Sequence, residues 1–254
     1  MSKFHLGKLE KPGTSRAAEK SEPLPLKHVA VIMDGNRRWA ENHRMPKLKG
    51  HQEGVKSLKR LVRHVGALKL EYLTVYAFSS ENWQRSSEEV KYLFELFSQV
   101  LESEFVELSQ NNVRLSFIGH MEGVPKSLRR SMEETTKQSE ANTGLNLQVA
   151  INYGSRLEIT EAVKKIALDV KEGRLAADDI TEDLIGKSLY TSRLPDPELL
   201  IRTGGEMRLS NYLLWQSAYT EIFITQTLWP DFTPECFDQA IDEFKRRHRR
   251  WGGD

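Results

Sequence analysis

Short apolar segments alternate with longer amphipathic segments along most of this chain. The short segments are rich in β-branched and apolar residues, which is typical of buried strands. They comprise residues 28–33, 72–78, 113–118, 145–151 and 198–202, and residues 221–225 are compatible with a further short strand. The longer segments space their apolar residues as helices do. They lie near residues 52–69, 87–110, 125–140 and 155–172, with further helical segments at 181–190, 210–217 and 233–250.

The alternation of strands and helices favours a single α/β domain. Helical connections between strands imply right-handed crossovers, so the central sheet is expected to be mostly parallel, with helices on both faces. Residues 27–254 form this domain. Residues 1–26 mix charged residues, serine and proline, and are predicted to form a flexible N-terminal arm.

The composition restricts the compartment and the kind of site. The 254 residues carry a net charge of only +1, so any anion site must depend on local clustering of basic residues. Cys236 is the only cysteine, which excludes an internal disulfide and favours a reducing compartment. No apolar run is long enough to span a membrane, and the N-terminus lacks the apolar core of a secretory signal. We therefore expect a soluble, cytoplasmic protein.

The sequence motifs of several enzyme classes are absent. The chain has neither the GxxxxGK(S/T) phosphate loop nor the GxGxxG dinucleotide fingerprint, which disfavours nucleotide enzymes of those types. It also lacks CxxC pairs, an HExxH helix and the DDxxD motif of all-helical isoprenoid synthases.

Polar clusters follow four of the predicted strands, where an open α/β sheet binds its ligands. Residues 34–39 are interpreted equally well as a helix cap with surface arginines or as a phosphate site. Residues 79–85 form either a capped loop or an anion site. Residues 152–156 are mostly explained by a turn glycine and a serine cap. Residues 202–211 form either an ordinary Gly-Gly turn or a phosphate loop.

Two single residues also have two interpretations each. Glu221 precedes an apolar run, so its carboxylate is either paired structurally or placed for function. His51 is either a residue of a helix start or a phosphate contact, and a lone histidine favours the first.

Taken in order, these clusters resemble the motifs of the cis-prenyltransferases, most closely those of the bacterial undecaprenyl diphosphate synthases. The similarity runs from about His28 to Trp251. Its motifs are Met33-Asp-Gly-Asn-Arg-Arg-Trp-Ala40, Tyr76-Ala-Phe-Ser-Ser-Glu-Asn-Trp83, Asn152-Tyr-Gly154, Ile201-Arg-Thr-Gly-Gly-Glu206, Leu209-Ser-Asn211, Leu214-Trp-Gln216, Glu221 and Trp229-Pro-Asp-Phe232. The resemblance implies the cis-prenyltransferase fold, which is Rossmann-like without a GxGxxG loop.

The resemblance implies a Mg²⁺-dependent enzyme that condenses isopentenyl diphosphate onto an allylic diphosphate primer such as farnesyl diphosphate. Each addition makes a Z double bond. The expected product is a long-chain polyprenyl diphosphate of the undecaprenyl type, the lipid carrier precursor for cell-wall glycan synthesis. The alternatives are a shorter or longer product, a non-catalytic partner subunit of the same fold, and a nucleotide-dependent phosphoryl transferase. The retained aspartate and arginine clusters argue against the non-catalytic subunit.

The matched positions imply roles for individual residues. Asp34 matches the essential aspartate that holds Mg²⁺ on the diphosphate, and Glu221 matches the second metal-associated carboxylate. Asn82 matches the position assigned to proton removal; since a neutral amide is a poor base, we expect it to position an oxygen that takes the proton. The allylic diphosphate contacts are Gly35, Asn36, Arg37 and Arg38, with Trp39, Lys47 and His51 nearby. Other substrate contacts are Ser79, Ser80, Glu81, Trp83 and Arg85, and the isopentenyl diphosphate site comprises Arg202, Arg208, Leu209 and Ser210.

Three residues depart from the family pattern. Arg37 stands where many bacterial members have glycine, and Lys47 replaces an arginine. Met207 stands where some members have a histidine near the metal, so the expected metal ligands are reduced to two carboxylates.

The resemblance also implies partners. A homodimer is expected, in which Arg250 and Gly252 reach a partner subunit's diphosphate site, although a solvated cationic helix end is the simpler interpretation. No nucleic acid is expected, and product release would involve peripheral membrane contact. The growing chain needs an apolar tunnel. The tunnel candidates are Ala77, Leu93, Phe94 and Val100, for most of which core packing is the better interpretation.

Overall fold

The computed structural model describes residue 24 and residues 26–247, without the side chains of residues 104–106. The strands are β1 (His28–Ile32), β2 (Tyr72–Ser79), β3 (Arg114–Ile118), β4 (Asn146–Tyr153), β5 (Leu199–Arg202) and β6 (Glu221–Ile224). The helices are α1 (Asn36–Asn42), α2 (Lys47–Ala67), α3 (Ser87–Gln110), α4 (Lys126–Gln138), α5 (Ser155–Lys171), α6 (Glu182–Ser188) and α7 (Pro234–Arg246). Most of the predicted N-terminal arm, and the residues Arg250 and Gly252, lie outside the described residues.

The six strands form one sheet in the order β3-β4-β2-β1-β5-β6, and every pairing is parallel. The prediction of an α/β domain with a mostly parallel sheet is confirmed. Because the strands share one direction, all their carboxyl ends lie on the same side of the sheet, which we call the carboxyl edge. The chain crosses between the first five strands through helices, whereas the connection from β5 to β6, residues 203–220, consists of turns.

The central strands β1 and β5 are buried on both faces, as their apolar sequences predict, whereas the edge strand β6 is partly exposed. In β1, Val29 and Val31 face a large apolar cluster that includes residues of α2, α3, α4 and α7. Ala30 and Ile32 face the opposite cluster, which includes the buried ring of Tyr212. The period-two alternation therefore places neighbouring β1 residues in different cores.

Helices α1 and α2 pack closely through two glycines. A Cβ at Gly50 would lie 1.9 Å from the carbonyl oxygen of Asn36, and one at Gly54 would lie 2.4 Å from the Oδ1 of the same asparagine. The sequence prediction missed α1 and began α2 at residue 52, whereas α2 begins at Lys47. The first turn of α2 is polar and glycine-containing, so its helical state depends on this contact and has no apolar period of its own.

The predicted helix at 210–217 is wrong, since these residues form turns. Ser210, Asn211 and Leu213 have φ values of 50°, 59° and 46°, in the left-handed region that an α-helix of L-residues excludes. The predicted helix at 233–250 is shorter than expected, because α7 ends at Arg246.

Candidate active site

The carboxyl edge brings together the four polar clusters predicted from the sequence. Strands β4, β2, β1 and β5 are neighbours in the sheet, so the segments that follow them are adjacent. Hydrogen bonds join these segments, among them Arg202 Nη2 to Asp34 Oδ2 at 2.9 Å, Trp83 Nε1 to Asn152 Oδ1 at 2.7 Å, and Asn211 Nδ2 to Glu81 Oε1 at 2.8 Å.

Asp34 lies just beyond β1, between two guanidinium groups. Arg202 donates to Oδ2, and the Nη2 of Arg38 lies 3.3 Å from Oδ1. The side chain of Asp34 is 30% exposed, whereas that of Arg202 is only 5% exposed. The next residue, Gly35, has a φ of 114°, which L side chains rarely adopt, and α1 begins directly after it. The turn thus leaves the carboxylate open to solvent with two cations beside it.

The loop after β5 surrounds the second cation. Arg38 donates from Nη1 to the carbonyl oxygen of Gly204 at 2.7 Å, and the same nitrogen lies 4.0 Å from the Oε1 of Glu206. Arg208 is mostly exposed, and its guanidinium pairs with Glu206 at 2.5 Å. Glu206 therefore lies between two guanidinium groups, and both remain close to solvent.

Residues 208–210 are fixed by the buried guanidinium of β5. Arg202 donates from Nη1 to the Ser210 hydroxyl at 2.7 Å and to the carbonyl oxygen of Arg208. Leu209 is half-buried and packs on the same face of the sheet as Tyr212. The predicted isopentenyl diphosphate contacts therefore lie together at the end of β5.

The segment after β2 forms a short 3-10 helix, Ser80–Gln84. The Oδ1 of Asn82 accepts a hydrogen bond from the backbone N–H of Ser79 at 3.1 Å, which fixes the amide against the loop. Glu81 is exposed and accepts the hydrogen bond from Asn211. Arg85 follows this turn and donates to Glu89 at 2.9 Å.

His51 is an uncharged group at the site. Its Nε2 lies 3.5 Å from the Oε1 of Glu89, and its side chain is 10% exposed. Burial and the positive charge of Arg85 lower the pKa of His51 to about 4. At neutral pH the imidazole can donate or accept a hydrogen bond, but it adds no positive charge to an anion site.

Other predicted contacts on α1 and α2 point to different partners. Trp39 donates from its indole nitrogen to Asp231 at 2.7 Å. Lys47 is exposed, and its ammonium lies 3.6 Å from the carboxylate of Glu41. Arg37 is exposed on α1. Trp39 and Lys47 thus lie near Asp34 without joining the central cluster, whereas Arg37 is close enough for its charge to act on His51 and Arg85.

Within one chain, Glu221 lies away from Asp34 in the sheet, and its predicted role at the metal stays a prediction. Glu221, the first residue of β6, is paired with Leu199 of β5, and Leu199 is paired with Val29 of β1. Glu221 and Val29 are therefore at the same height along the strands. β1 continues for three more residues to Ile32, and Asp34 follows its end, so the backbone of Asp34 lies roughly 10 Å or more beyond the level of Glu221 along the strand direction. Glu221 instead pairs with Arg247 at 2.9 Å.

An apolar cavity begins beside this cluster. It has a volume of about 430 Å³ and lies between α2, α3 and the sheet. Met33, Asn36 and His51 line it near Asp34, and its apolar lining includes Ala77, Leu93 and Val100 from the predicted tunnel set. The fourth predicted residue, Phe94, is buried and packs against Phe78 and Trp83 instead.

Three buried polar atoms at this end lack a hydrogen-bond partner within the described part of the chain. They are Asn36 Oδ1, His51 Nε2 and Arg202 Nε. Buried polar atoms are usually paired, so unpaired ones beside a cavity indicate a site for a polar ligand.

The donor set of this edge fits Mg²⁺ only together with a phosphate ligand. Among the described residues no group of three or more acidic, histidine or cysteine side chains could hold a metal ion. Mg²⁺ commonly takes one or two carboxylates and completes its octahedron with phosphate oxygens and water. The half-exposed carboxylate of Asp34, with two guanidinium groups beside it, provides such a single oxygen ligand.

Sequence reasoning missed two polar residues of the site. Glu89, which contacts Arg85 and His51, belongs to a Ser86-x-x-Glu89 pattern that indicates a helix cap. Asn211 occurs in a quoted motif, but its hydrogen bond to Glu81 depends on tertiary structure alone.

Comparison with known proteins agrees with this arrangement. Residues 32–252 match the family model described as "Putative undecaprenyl diphosphate synthase". The chain is 51% identical to an isoprenyl transferase of Geobacillus kaustophilus, over 91% of this chain and 90% of the relative. It is 45% identical to a ditrans,polycis-undecaprenyl-diphosphate synthase of Micrococcus luteus that is (2E,6E)-farnesyl-diphosphate specific, over 89% and 91% of the two chains.

A solved structure shares the same architecture. Lavandulyl diphosphate synthase from Lavandula x intermedia, in complex with dimethylallyl diphosphate, superposes with a TM-score of 0.88 at 36% identity. The match covers 90% of this chain and 99% of that chain. No helix in the described residues is both long and apolar enough to cross a membrane.

The family match and the similar relatives show that the chain belongs to the undecaprenyl diphosphate synthase family, and it is an enzyme of the cis-prenyltransferase class.

Proposed function

We propose that this enzyme condenses isopentenyl diphosphate with an allylic diphosphate, such as farnesyl diphosphate, and repeats the addition to make a long-chain Z-polyprenyl diphosphate of the undecaprenyl type. One observation carries this proposal. A carboxylate between two guanidinium groups, Asp34 with Arg38 and Arg202, lies at the mouth of an apolar cavity. Such a site suits a molecule with a diphosphate head and a hydrocarbon tail.

The arginines suit the charge changes of the reaction. In each addition the allylic C–O bond breaks and diphosphate leaves, while the allylic carbon bonds to the terminal carbon of isopentenyl diphosphate. The guanidinium group of Arg38 would bind oxygens of the allylic diphosphate with paired hydrogen bonds and stabilise the negative charge that develops on this leaving group. The guanidinium group of Arg202 would bind the diphosphate of isopentenyl diphosphate, which stays on the product.

Asp34 would hold Mg²⁺ on the diphosphate. When bound, Mg²⁺ supplies Lewis-acid stabilisation of the diphosphate leaving group. Asp34 accepts a hydrogen bond from Arg202 and forms an ion pair with Arg38, so these cations are already beside the expected position of the phosphates. The metal role of Glu221 stays a prediction from the resemblance.

Asn82 would orient the group that removes the proton. Condensation releases a proton from isopentenyl diphosphate, and a neutral amide is a poor acceptor for it. The Oδ1 of Asn82 is already engaged by the N–H of Ser79, so the amide is held in one orientation. We infer that it positions a diphosphate oxygen or water that takes the proton.

Several further statements stay predictions from the resemblance. They are the substrate contacts of Trp39, Lys47, Ser80 and Leu209, the homodimer, the contact of Arg250 and Gly252 with a partner, the cytoplasmic location and the membrane contact. The chain length of the product also stays a prediction.

Turnover of the purified protein tests the proposal. The full chain is incubated with Mg²⁺, farnesyl diphosphate and labelled isopentenyl diphosphate, and butanol-extractable product is counted. We expect label in long polyprenyl chains, and a loss of about 100-fold or more in Asp34→Asn, which keeps the side-chain shape. Asp183→Asn, an exposed aspartate paired with Lys187 on α6, is the matched control and should retain full turnover.

Each result has one meaning. An inactive parent protein with these substrates would contradict the proposed reaction and favour a non-catalytic subunit. Full activity of a folded Asp34→Asn variant would remove the carboxylate from the mechanism.

A further inference from the structure

We propose that Asn211 is the positioning residue of the isopentenyl diphosphate subsite. It holds residues 208–210 in the conformation that presents the Ser210 hydroxyl and the Arg202 guanidinium to the diphosphate. This inference rests on the proposed function, because that function assigns the subsite. Asn211 itself acts through its neighbours and touches no reacting atom.

The segment that carries the subsite is strained. Ser210, Asn211 and Leu213 all have positive φ values although none is glycine. Each left-handed L-residue is unfavourable, and bulky Leu213 more so than asparagine. Such a conformation persists only where surrounding contacts impose it, and strained residues of this kind concentrate at ligand sites.

Asn211 makes three hydrogen bonds that hold the segment in this conformation. Its Oδ1 accepts from the backbone N–H of Arg156 at 2.9 Å, and its carbonyl oxygen accepts from that of Ser155 at 2.8 Å. These are N–H groups of the first turn of α5, which no residue within the helix can pair. Its Nδ2 donates to Glu81 at 2.8 Å. One side chain thus ties the segment after β5 both to α5 and to the segment after β2.

The fit around this amide is close. A Cβ on Gly154 would lie 2.8 Å from the Nδ2 of Asn211 and 2.4 Å from the Oγ of Ser80. A glycine at this position therefore leaves the space that the asparagine occupies. Leu214 is held beside it, since its N–H donates to the Ser155 hydroxyl at 3.0 Å.

Asn211 affects the carboxylate of Asp34 through two residues, Ser210 and Arg202. The position of Asn211 fixes Ser210, the preceding residue, whose hydroxyl accepts from Nη1 of Arg202 at 2.7 Å. The other terminal nitrogen of that guanidinium donates to Asp34. A shift of the 208–210 segment would therefore turn the guanidinium away from the subsite while β5 stays in place.

The test replaces the amide by a carboxylate. Asn211→Asp keeps the size and the acceptor for Arg156, but it puts a second negative charge against Glu81. We expect the KM for isopentenyl diphosphate to rise about 10-fold or more, with the KM for farnesyl diphosphate changed less than about twofold.

Two further variants separate positioning from simple loss of structure. In Asn211→Asp with Glu81→Gln, the glutamine amide can donate to the aspartate, so the KM should return to within about threefold of that of Glu81→Gln alone. In Asn211→Gly the backbone accepts positive φ without strain but loses both side-chain bonds. We expect a raised KM for isopentenyl diphosphate here too.

The matched control is Asn112→Asp. Asn112 also has a positive φ, of 58°, but it precedes β3 on the opposite side of the sheet from the carboxyl edge. The KM values of Asn112→Asp for isopentenyl diphosphate and farnesyl diphosphate should equal those of the parent. A parental KM in Asn211→Asp, or an equal rise for both substrates, would overturn the positioning role while leaving the parent's turnover intact. Loss of turnover in the parent itself would instead contradict the proposed function.

Discussion

The Nη2 of Arg202 lies 2.9 Å from the Oδ2 of Asp34, although the two residues are 168 positions apart in the chain. Their strands, β1 and β5, are direct neighbours in the sheet, with Ile32 paired to Arg202. A nearly buried cation thus meets a half-exposed carboxylate at the edge where ligands bind. Ser210 and the carbonyl of Arg208 hold the other terminal nitrogen, so the plane of the guanidinium is set before any substrate arrives.

Replacing Arg202 by lysine should weaken substrate binding strongly. An ammonium cannot reproduce the planar fork that reaches Asp34 and Ser210 together. We expect the KM for isopentenyl diphosphate to rise about 10- to 100-fold in Arg202→Lys, as expected for lost hydrogen bonds to charged groups. Steady-state kinetics at saturating farnesyl diphosphate measure this change. Arg130→Lys, at an exposed pair with Glu134 on α4, controls for the substitution itself; a similar KM in both variants would contradict the prediction.

Alanine at two glycines of α2, Gly50 and Gly66, should change the free energy of unfolding in opposite directions. A methyl group at Gly50 would meet the backbone oxygen of Asn36, whereas one at Gly66 would meet no atom within 4 Å. Gly50→Ala should lower the free energy of unfolding by about 1–3 kcal/mol and displace α1 with Arg38. Gly66→Ala should raise that free energy by up to about 1 kcal/mol, since alanine favours the helix. Urea denaturation of both variants measures the difference; equal effects would show that the α1–α2 contact can relax.

The sequence was sufficient for the sheet and for the loops that carry the site. Apolar runs such as residues 28–33 and 198–202 marked buried parallel strands, and the polar clusters after them met at one edge. Local pattern was insufficient where distant contacts decide the backbone. Residues 210–217 have a helical composition, yet their left-handed turns are held by hydrogen bonds from α5. The sequence also did not show that Glu221 pairs with Leu199 at the start of β5, away from the carboxyl edge, because strand register depends on tertiary structure.

A buried histidine should make the fold sensitive to acid. His28 lies in β1 and its ring contacts Pro195 O at 2.6 Å and Thr74 Oγ1 at 2.8 Å. Burial lowers the pKa of His28 to about 4 from the usual 6.5. Below pH 6.5 the unfolded chain takes up a proton that the folded chain does not, so stability falls as the pH drops from 6.5 to about 4. The loss approaches about 3 kcal/mol and then levels off.

Unfolding free energies measured by urea denaturation between pH 7.5 and pH 4.5 check this effect. In His28→Gln the loss on acidification should be smaller than in the parent, and the remainder reflects groups such as His51, whose pKa is also lowered. His43→Gln is the matched control, because this histidine is exposed. A parental pH slope in His28→Gln would show that the buried ring does not govern acid stability.

The size of the cavity should limit the length of the product. Val100 of α3 lines the cavity, and a phenylalanine there would occupy space that the hydrocarbon chain needs. We expect Val100→Phe to make shorter polyprenyl chains, because a chain that meets the obstruction cannot accept further units in the same pose. The rate of the first addition should change little, since the diphosphate groups bind at the other end, near Asp34 and Arg202.

Reverse-phase chromatography of the dephosphorylated alcohols measures the length distribution. Val163→Phe makes the same change at a valine of α5 that is 51% exposed, and it should leave the distribution as in the parent. Overpacking could also destabilise the fold by about 1–3 kcal/mol, so the melting temperatures of both variants are compared first. If folded Val100→Phe gives the parental product lengths, the growing chain does not pass Val100, and the cavity between α2 and α3 is not its route.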